Sequence, residues 1–241
     1  MLAALLLLVL QQYNVPFSPR VTGGGSNPVV ESWELTESTA HAITMDITRP
    51  SGVAADDLLL LLLVMEATTG TAPQWADDLT GFTYIGEDGD SLSDVYAGMY
   101  RRIATGDSND PDPVQPTWRS LGDYFGYYVR ISGANTTTPV ADWSCQNTTT
   151  SSTSHAAPSV TASTDASLAV YLLGFDGDDG DPFGQPSGWT EVDEANCSGG
   201  TSGCGGVWGW QNVDTGATGD ATISSSVSDG SATCQIVINP E

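Results

Sequence analysis

The densest group of potential metal ligands is Asp176-Gly177-Asp178-Asp179-Gly180-Asp181. Closely spaced carboxylates can supply the oxygen shell that calcium requires, as at the start of an EF-hand loop. The EF-hand register fails, because Gly180 takes the fifth position and no Glu closes the loop in frame. Asp176, Asp178, Asp179 and Asp181 remain candidates for a calcium site of another kind, with a solvated hairpin tip as the simpler reading. Calcium is the only cofactor the sequence suggests. The four cysteines are Cys145, Cys197, Cys204 and Cys234. Cys197 and Cys204 bracket the loop CSGGTSGC, a good length for a local disulfide; zinc is the rival, but the spacing is not CxxC and neither histidine is near. Cys145 and Cys234 are then a second bridge or two thiols. Two bridges would imply an oxidising setting, or a particle that oxidises after release.

Catalysis has less to build on. The histidines, His41 and His155, sit in Ser/Thr-rich surroundings outside any motif. A secreted hydrolase would need a cleft joining one of them to a carboxylate and a serine, and no nucleophile-elbow signature is present. Carboxylate pairs for glycoside hydrolysis carry no information in a chain with 30 acidic residues. A phosphate loop ending in lysine is impossible, since the 6 basic residues are all arginine. Trp208 and Trp210 alternate around Gly209, which suits core packing or, more sharply, a platform for stacking sugars. The expectation is a protein that is not an enzyme.

These residues need a frame, and the frame is organised around Asp57 to Ala67, DLLLLLLVMEA. A uniform apolar run fits a strand buried on both faces or a helix, and periodicity cannot arbitrate. Ser167 to Asp176, SLAVYLLGFD, echoes it with Val and Tyr, and the surroundings are rich in Gly, Thr and Ser. Both therefore read as central strands. The echo continues with Gly81-Phe82-Thr83 against Gly188-Trp189-Thr190, and AGMYRRIATG (Ala97 to Gly106) against VWGWQNVDTG (Val207 to Gly216). The offset is 110 residues for both the central strands (167 − 57) and the closing glycines (216 − 106). Each half ends in a strand, Asp123 to Gly133 and Ser231 to Asn239. The expected fold is all-β: an antiparallel, jelly-roll-like β-sandwich of two degenerate copies, about 41–133 and 159–241, in one domain spanning 28–241. Asn135 to Pro158 reads as a Thr/Ser-rich crossover or functional tip.

A net charge of −24 excludes the basic footprint of a nucleic-acid binder and disfavours an anionic membrane surface. Solubility in salty surroundings explains such a surface better than a dedicated cation store. Residues 1–27 stand apart. MLAALLLLVL lacks the basic start and small-residue cleavage site of a signal peptide, and it is shorter than the roughly 20 residues that span a bilayer. Leu2, Leu5, Leu6, Leu8, Val9, Leu10, Tyr13 and Phe17 read as an apolar assembly arm seated on neighbouring subunits, followed by a Pro/Gly linker.

Pro50-Ser51-Gly52 leading through Asp56-Asp57 into an apolar strand resembles the "P-x-G…GDLLL" entry of a β-sandwich repeat in structural proteins of tailed phages. In that pattern a "P-x-GW-T" segment follows, and then an aromatic strand ending in "A-T-G". Gly81-Phe82-Thr83 with Ala104-Thr105-Gly106, and Pro186-Ser187-Gly188-Trp189-Thr190 with Thr215-Gly216, match it. Asp56 stands where the pattern has Gly, and Asp214 stands where it has Ala. The resemblance implies a virion structural role on tail fibres, tails or the head surface. The absence of any shaft-like repeat favours the head. The expectation is a decoration or cement protein on the virion surface, a homotrimer partnered by the major capsid protein and held by its arm. The alternatives are a tail-fibre or tail-tip component, or a secreted carbohydrate-binding module or adhesin that meets host-surface glycans.

Overall fold

The computed structural model describes residues 26–38, 42–67, 79–89, 95–106, 109–177, 183–197 and 203–241. The arm through Phe17, His41, and Asp178, Asp179 and Asp181 lie outside the described residues. The first half forms β1 (Val29–Glu37), β2 (Ala42–Thr44), β3 (Leu58–Ala67), β4 (Thr83–Gly89), β5 (Val95–Ile103) and β6 (Thr117–Ser132). The second forms β7 (Val140–Ala157), β8 (Thr161–Ala162), β9 (Ser167–Asp176), β10 (Thr190–Cys197), β11 (Cys204–Val213), β12 (Gly216–Ala217) and β13 (Ala221–Ile238).

Each half makes its own antiparallel sheet. The first runs β1-β6-β3-β5-β4 with β2 also on β6, and the second runs β7-β13-β9-β11-β10. Setting aside the short β2, β8 and β12, both sheets have one spatial order, with the first strand of the half beside the last and the third at the far edge. The two sheets pack face to face as a β-sandwich, and the duplication seen in the sequence is a duplication of sheets. The halves do not interleave as the strands of a jelly roll do. They are also longer than the repeat suggested, beginning at β1 and β7. Asn135 to Pro158 is therefore mostly an edge strand and not a crossover loop. Its Thr and Ser residues suit an extended, half-exposed edge, and their polarity disguises it.

Burial explains the uniform apolar runs. Strand residues alternate between faces. Leu58, Leu60, Leu62 and Val64 enter the core between the sheets with Leu168, Val170 and Leu172. Leu59, Leu61, Leu63 and Met65 point the other way and are covered by Met45, Ile47, Leu79 and Val114. On the outer face of the second sheet, Tyr171, Leu173 and Phe175 are covered by Val160, Phe183, Trp189 and Ile223. Because both faces of β3 and β9 are covered, neither strand can show a polar alternation.

The turns are duplicated as well. Gly81 and Gly188 have φ of 83° and 87°, and each precedes an aromatic residue that packs edge-on against the outer face, Phe82 on Tyr128 and Trp189 on Tyr171. Asp56 and Ala166, one residue before each central-strand segment, have φ of 70° and 60°, where glycine is favoured. The two Thr-Gly turns are held by carboxylates. Asp110 accepts from the Thr105 and Gly106 amides at 3.0 and 2.8 Å, and Asp165 accepts from the Thr215 amide at 2.9 Å.

Candidate functional site

The sequence-predicted groups do not converge. Cys145 pairs with Cys234, directly opposite each other on β7 and β13, and Cys197 pairs with Cys204 across the β10–β11 hairpin. Asp176 ends β9, and no group of three or more metal-ligating side chains occurs among the described residues. Trp208 cannot be a sugar platform. Its ring is fully buried between the sheets, edge-on to Trp33 at 5.9 Å and tilted against Tyr127 at 5.8 Å, while Trp210 is half-buried.

His155 is equally enclosed. Its Nδ1 lies 2.8 Å from Ser231 Oγ and its Nε2 lies 3.0 Å from Ser225 Oγ. Ser225 already donates to the Val227 carbonyl at 2.6 Å, so it accepts from Nε2–H, and Nδ1 accepts from Ser231. Burial pushes this histidine below its ordinary value, against the opposing charge of Asp229. Both hydroxyls satisfy a neutral imidazole packed edge-on to Phe175. With His155 and Ser231 fully buried, the pair has no face open to a substrate.

The four arginines with described side chains show where charge is left over. Arg130 Nε is 2.7 Å from buried Asp57, Arg102 Nε is 3.1 Å from buried Asp110, and Arg49 reaches Asp112 at 4.0 Å. Burial pushes Asp110 up. The amides of Thr105 and Gly106, the Arg102 guanidinium and the Thr105 hydroxyl outweigh it and hold Asp110 below the usual carboxylate value. Arg101 differs. It is in phase with Val95, Ala97 and Met99, so it faces the second sheet, yet it makes no ion pair with any described residue.

Arg101 lines a shallow groove of about 320 Å³ at the seam where edge strand β4 meets edge strand β7. Trp143 flanks it on the side of Arg101, and Tyr84 stands at its rim on the outer face with Tyr100. Tyr84 is 48% exposed and Trp143 43% exposed. The register between β4 and β5 slips between Tyr84 and Gly86, so Tyr84 stays on the outer face with Tyr100 while Ile85 and Gly86 lie on the side that Arg101 faces. Tyr84 leans edge-on against Tyr100 at 5.4 Å. Partial burial, with the charges of Glu87 and Asp88, pushes its hydroxyl up to about 12, so it stays a donor. The Trp143 ring lies over the backbone at Gly86, where a Cβ would come within 2.1 Å of it. Asp142 completes the wall, its oxygens accepting from the Trp143 and Thr161 amides at 2.9 Å each. A hydrogen bond from Asn147 to Asp88 at 3.2 Å ties the two strands together.

The pseudo-equivalent seam, β1 against β10, is closed. Trp33 turns in against Trp208 and donates to Asp193 at 3.2 Å, and Glu37 accepts from the Asn196 amide at 2.8 Å. Burial pushes Asp193 up, and burial with the Glu194 and Asp193 charges does the same to Glu191. One seam is thus filled and acidic, and the other is open and aromatic, with Arg101 and Asp142 together in its wall. Sequence reasoning passed over the open one because Trp143 lay in a stretch taken for a loop. The available signal was Arg101 itself, a charge in phase with three buried residues.

No known protein family, characterised protein or solved structure matches the chain. The fold and site define an acidic, disulfide-stapled, duplicated β-sandwich with an open groove beside Trp143 among the described residues.

Proposed function

We propose that the protein is a non-enzymatic structural component of a tailed-phage virion, displayed on the particle surface as a head decoration or cement protein. The observation that carries this reading is the duplicated turn set. The residues that resemble the phage repeat, Gly81-Phe82-Thr83 and Thr105-Gly106 with Gly188-Trp189-Thr190 and Thr215-Gly216, occupy corresponding corners of two sheets of one topology. Sandwiches covered on all faces and stapled across strands suit a block that must keep its shape outside a cell. The enclosure of His155 also supports a role without catalysis. In this reading the apolar segment from Leu2 to Phe17 holds the sandwich to its neighbours as a trimer on the major capsid protein. Burying about 300 Å² of apolar surface there would contribute on the order of 7 kcal/mol before ordering costs. Mass analysis in solution tests it. Full-length protein should form trimers or larger assemblies and a Δ1–17 truncation a folded monomer. Two monomers would remove the arm from the account.

The groove favours a second reading, a surface module that holds host glycans, which a virion protein could also be.

A further inference from the structure

We propose that the β4–β7 groove is a binding site for an anionic saccharide, one bearing carboxylate or sulfate groups. Exposed aromatic rings offer flat apolar faces to the C–H faces of a pyranose while their polar edges meet its hydroxyls. Trp143 presents such a face on the side of Arg101, with the acceptor oxygens of Asp142 in the same wall, and Tyr84 stands at the rim. Arg101 adds the charge. Its guanidinium has five donors in a planar fork that matches carboxylate and sulfate oxygens, and no described carboxylate takes them up.

The net charge of −24 opposes an anionic ligand at long range. At 0.15 M ionic strength that field is screened over about 8 Å, whereas the Arg101 contact inside the groove is shorter. The β1–β10 seam, where Glu191, Asp193 and Glu194 gather, is closed to the same ligand by its charge.

The groove's side chains are held in place before any ligand arrives. Trp143 lies on Gly86, Tyr84 leans on Tyr100, and Asn147 joins the strands, so little ordering is left for binding to supply. The inference stands independently of the virion reading.

The test is calorimetric titration of the full chain at 0.15 M salt with a galacturonate oligosaccharide, a sulfated galactose oligosaccharide and an uncharged galactose oligosaccharide. The expected result is that at least one anionic sugar binds about tenfold or more tighter than the uncharged one, as a charge-assisted contact implies. The stronger of the two identifies the anion. Arg101→Gln should abolish that preference, and Trp143→Ala should weaken binding at least tenfold, with Trp143→Phe restoring part of it. Unchanged thermal unfolding of the variants shows the fold to be intact. Equal affinity for charged and uncharged sugars, no binding of either anionic sugar, or a Trp143→Ala variant that binds as the parent does would overturn the proposal.

Discussion

Ala166 offers a clean perturbation, because it is a plain L-residue held at φ 60° immediately before β9. The left-handed region costs a residue with a Cβ about 1–2 kcal/mol. Glycine escapes that cost but gives back about 0.5–1 kcal/mol in the entropy of its unfolded chain. Ala166→Gly should therefore stabilise the protein by about 0.5–1 kcal/mol, raising Tm by about 1–4 °C in a chain of this size. Ala166→Val, which adds β-branching at a left-handed position, should destabilise. Asp56→Gly should gain less, since Asp tolerates this region better than Ala. Urea denaturation gives the answer as a shift in midpoint at constant slope. If Ala166→Gly were destabilising and Ala166→Val neutral, the turn would not be imposing the strain argued here, and its correspondence with Asp56 would lose its physical meaning.

Other consequences follow from the same contacts. The Cys145–Cys234 bridge closes 89 residues and Cys197–Cys204 closes 7. On chain entropy, replacing the first pair with serine should therefore cost about 2 kcal/mol more than replacing the second, measurable by denaturation of the two double variants. Asp110→Asn should destabilise by about 2–4 kcal/mol, because it weakens four contacts and leaves Arg102 facing a neutral group. Since Asp110 is held below its unfolded value, its contribution is present above the usual carboxylate pKa and is lost as pH falls through the folded value; the wild-type minus D110N difference in stability should shrink on acidification. His155 faces Ser225, Ser231, Phe175 and Asp229 and is held below its unfolded value, so the unfolded chain binds the proton first. Its neutral packing is fully effective above about pH 6.5 and is lost as pH falls below it. His155→Gln should flatten the stability profile between neutral pH and pH 5, read by thermal melts across that range.

The central strands were legible because the leucine run is echoed by SLAVYLLGFD, with its Val and Tyr, and both lie in Gly-, Thr- and Ser-rich surroundings that suit sheets. Order and spacing exposed the duplication even where identity had faded. What remained hidden was set by which face each residue meets. Trp208 and Trp210 look alike in sequence, but Trp208 points between the sheets and Trp210 toward their margin. β7 hid in its own polarity: an edge strand needs little apolar content, and its threonines resemble a linker. The groove could not be read at all from local pattern. It arises where the third strand of one copy meets the first strand of the other, a contact between residues about 60 apart such as Asp88 and Asn147.

The most direct test of the proposed role is immunogold labelling of intact, gradient-purified tailed particles from cultures that produce the protein, using antibody raised against the folded sandwich. The account predicts gold on the outside of the particles, regularly spaced over the head, with the protein co-sedimenting and retained through a high-salt wash. Unlabelled particles, with all of the protein in the soluble fraction, would contradict it.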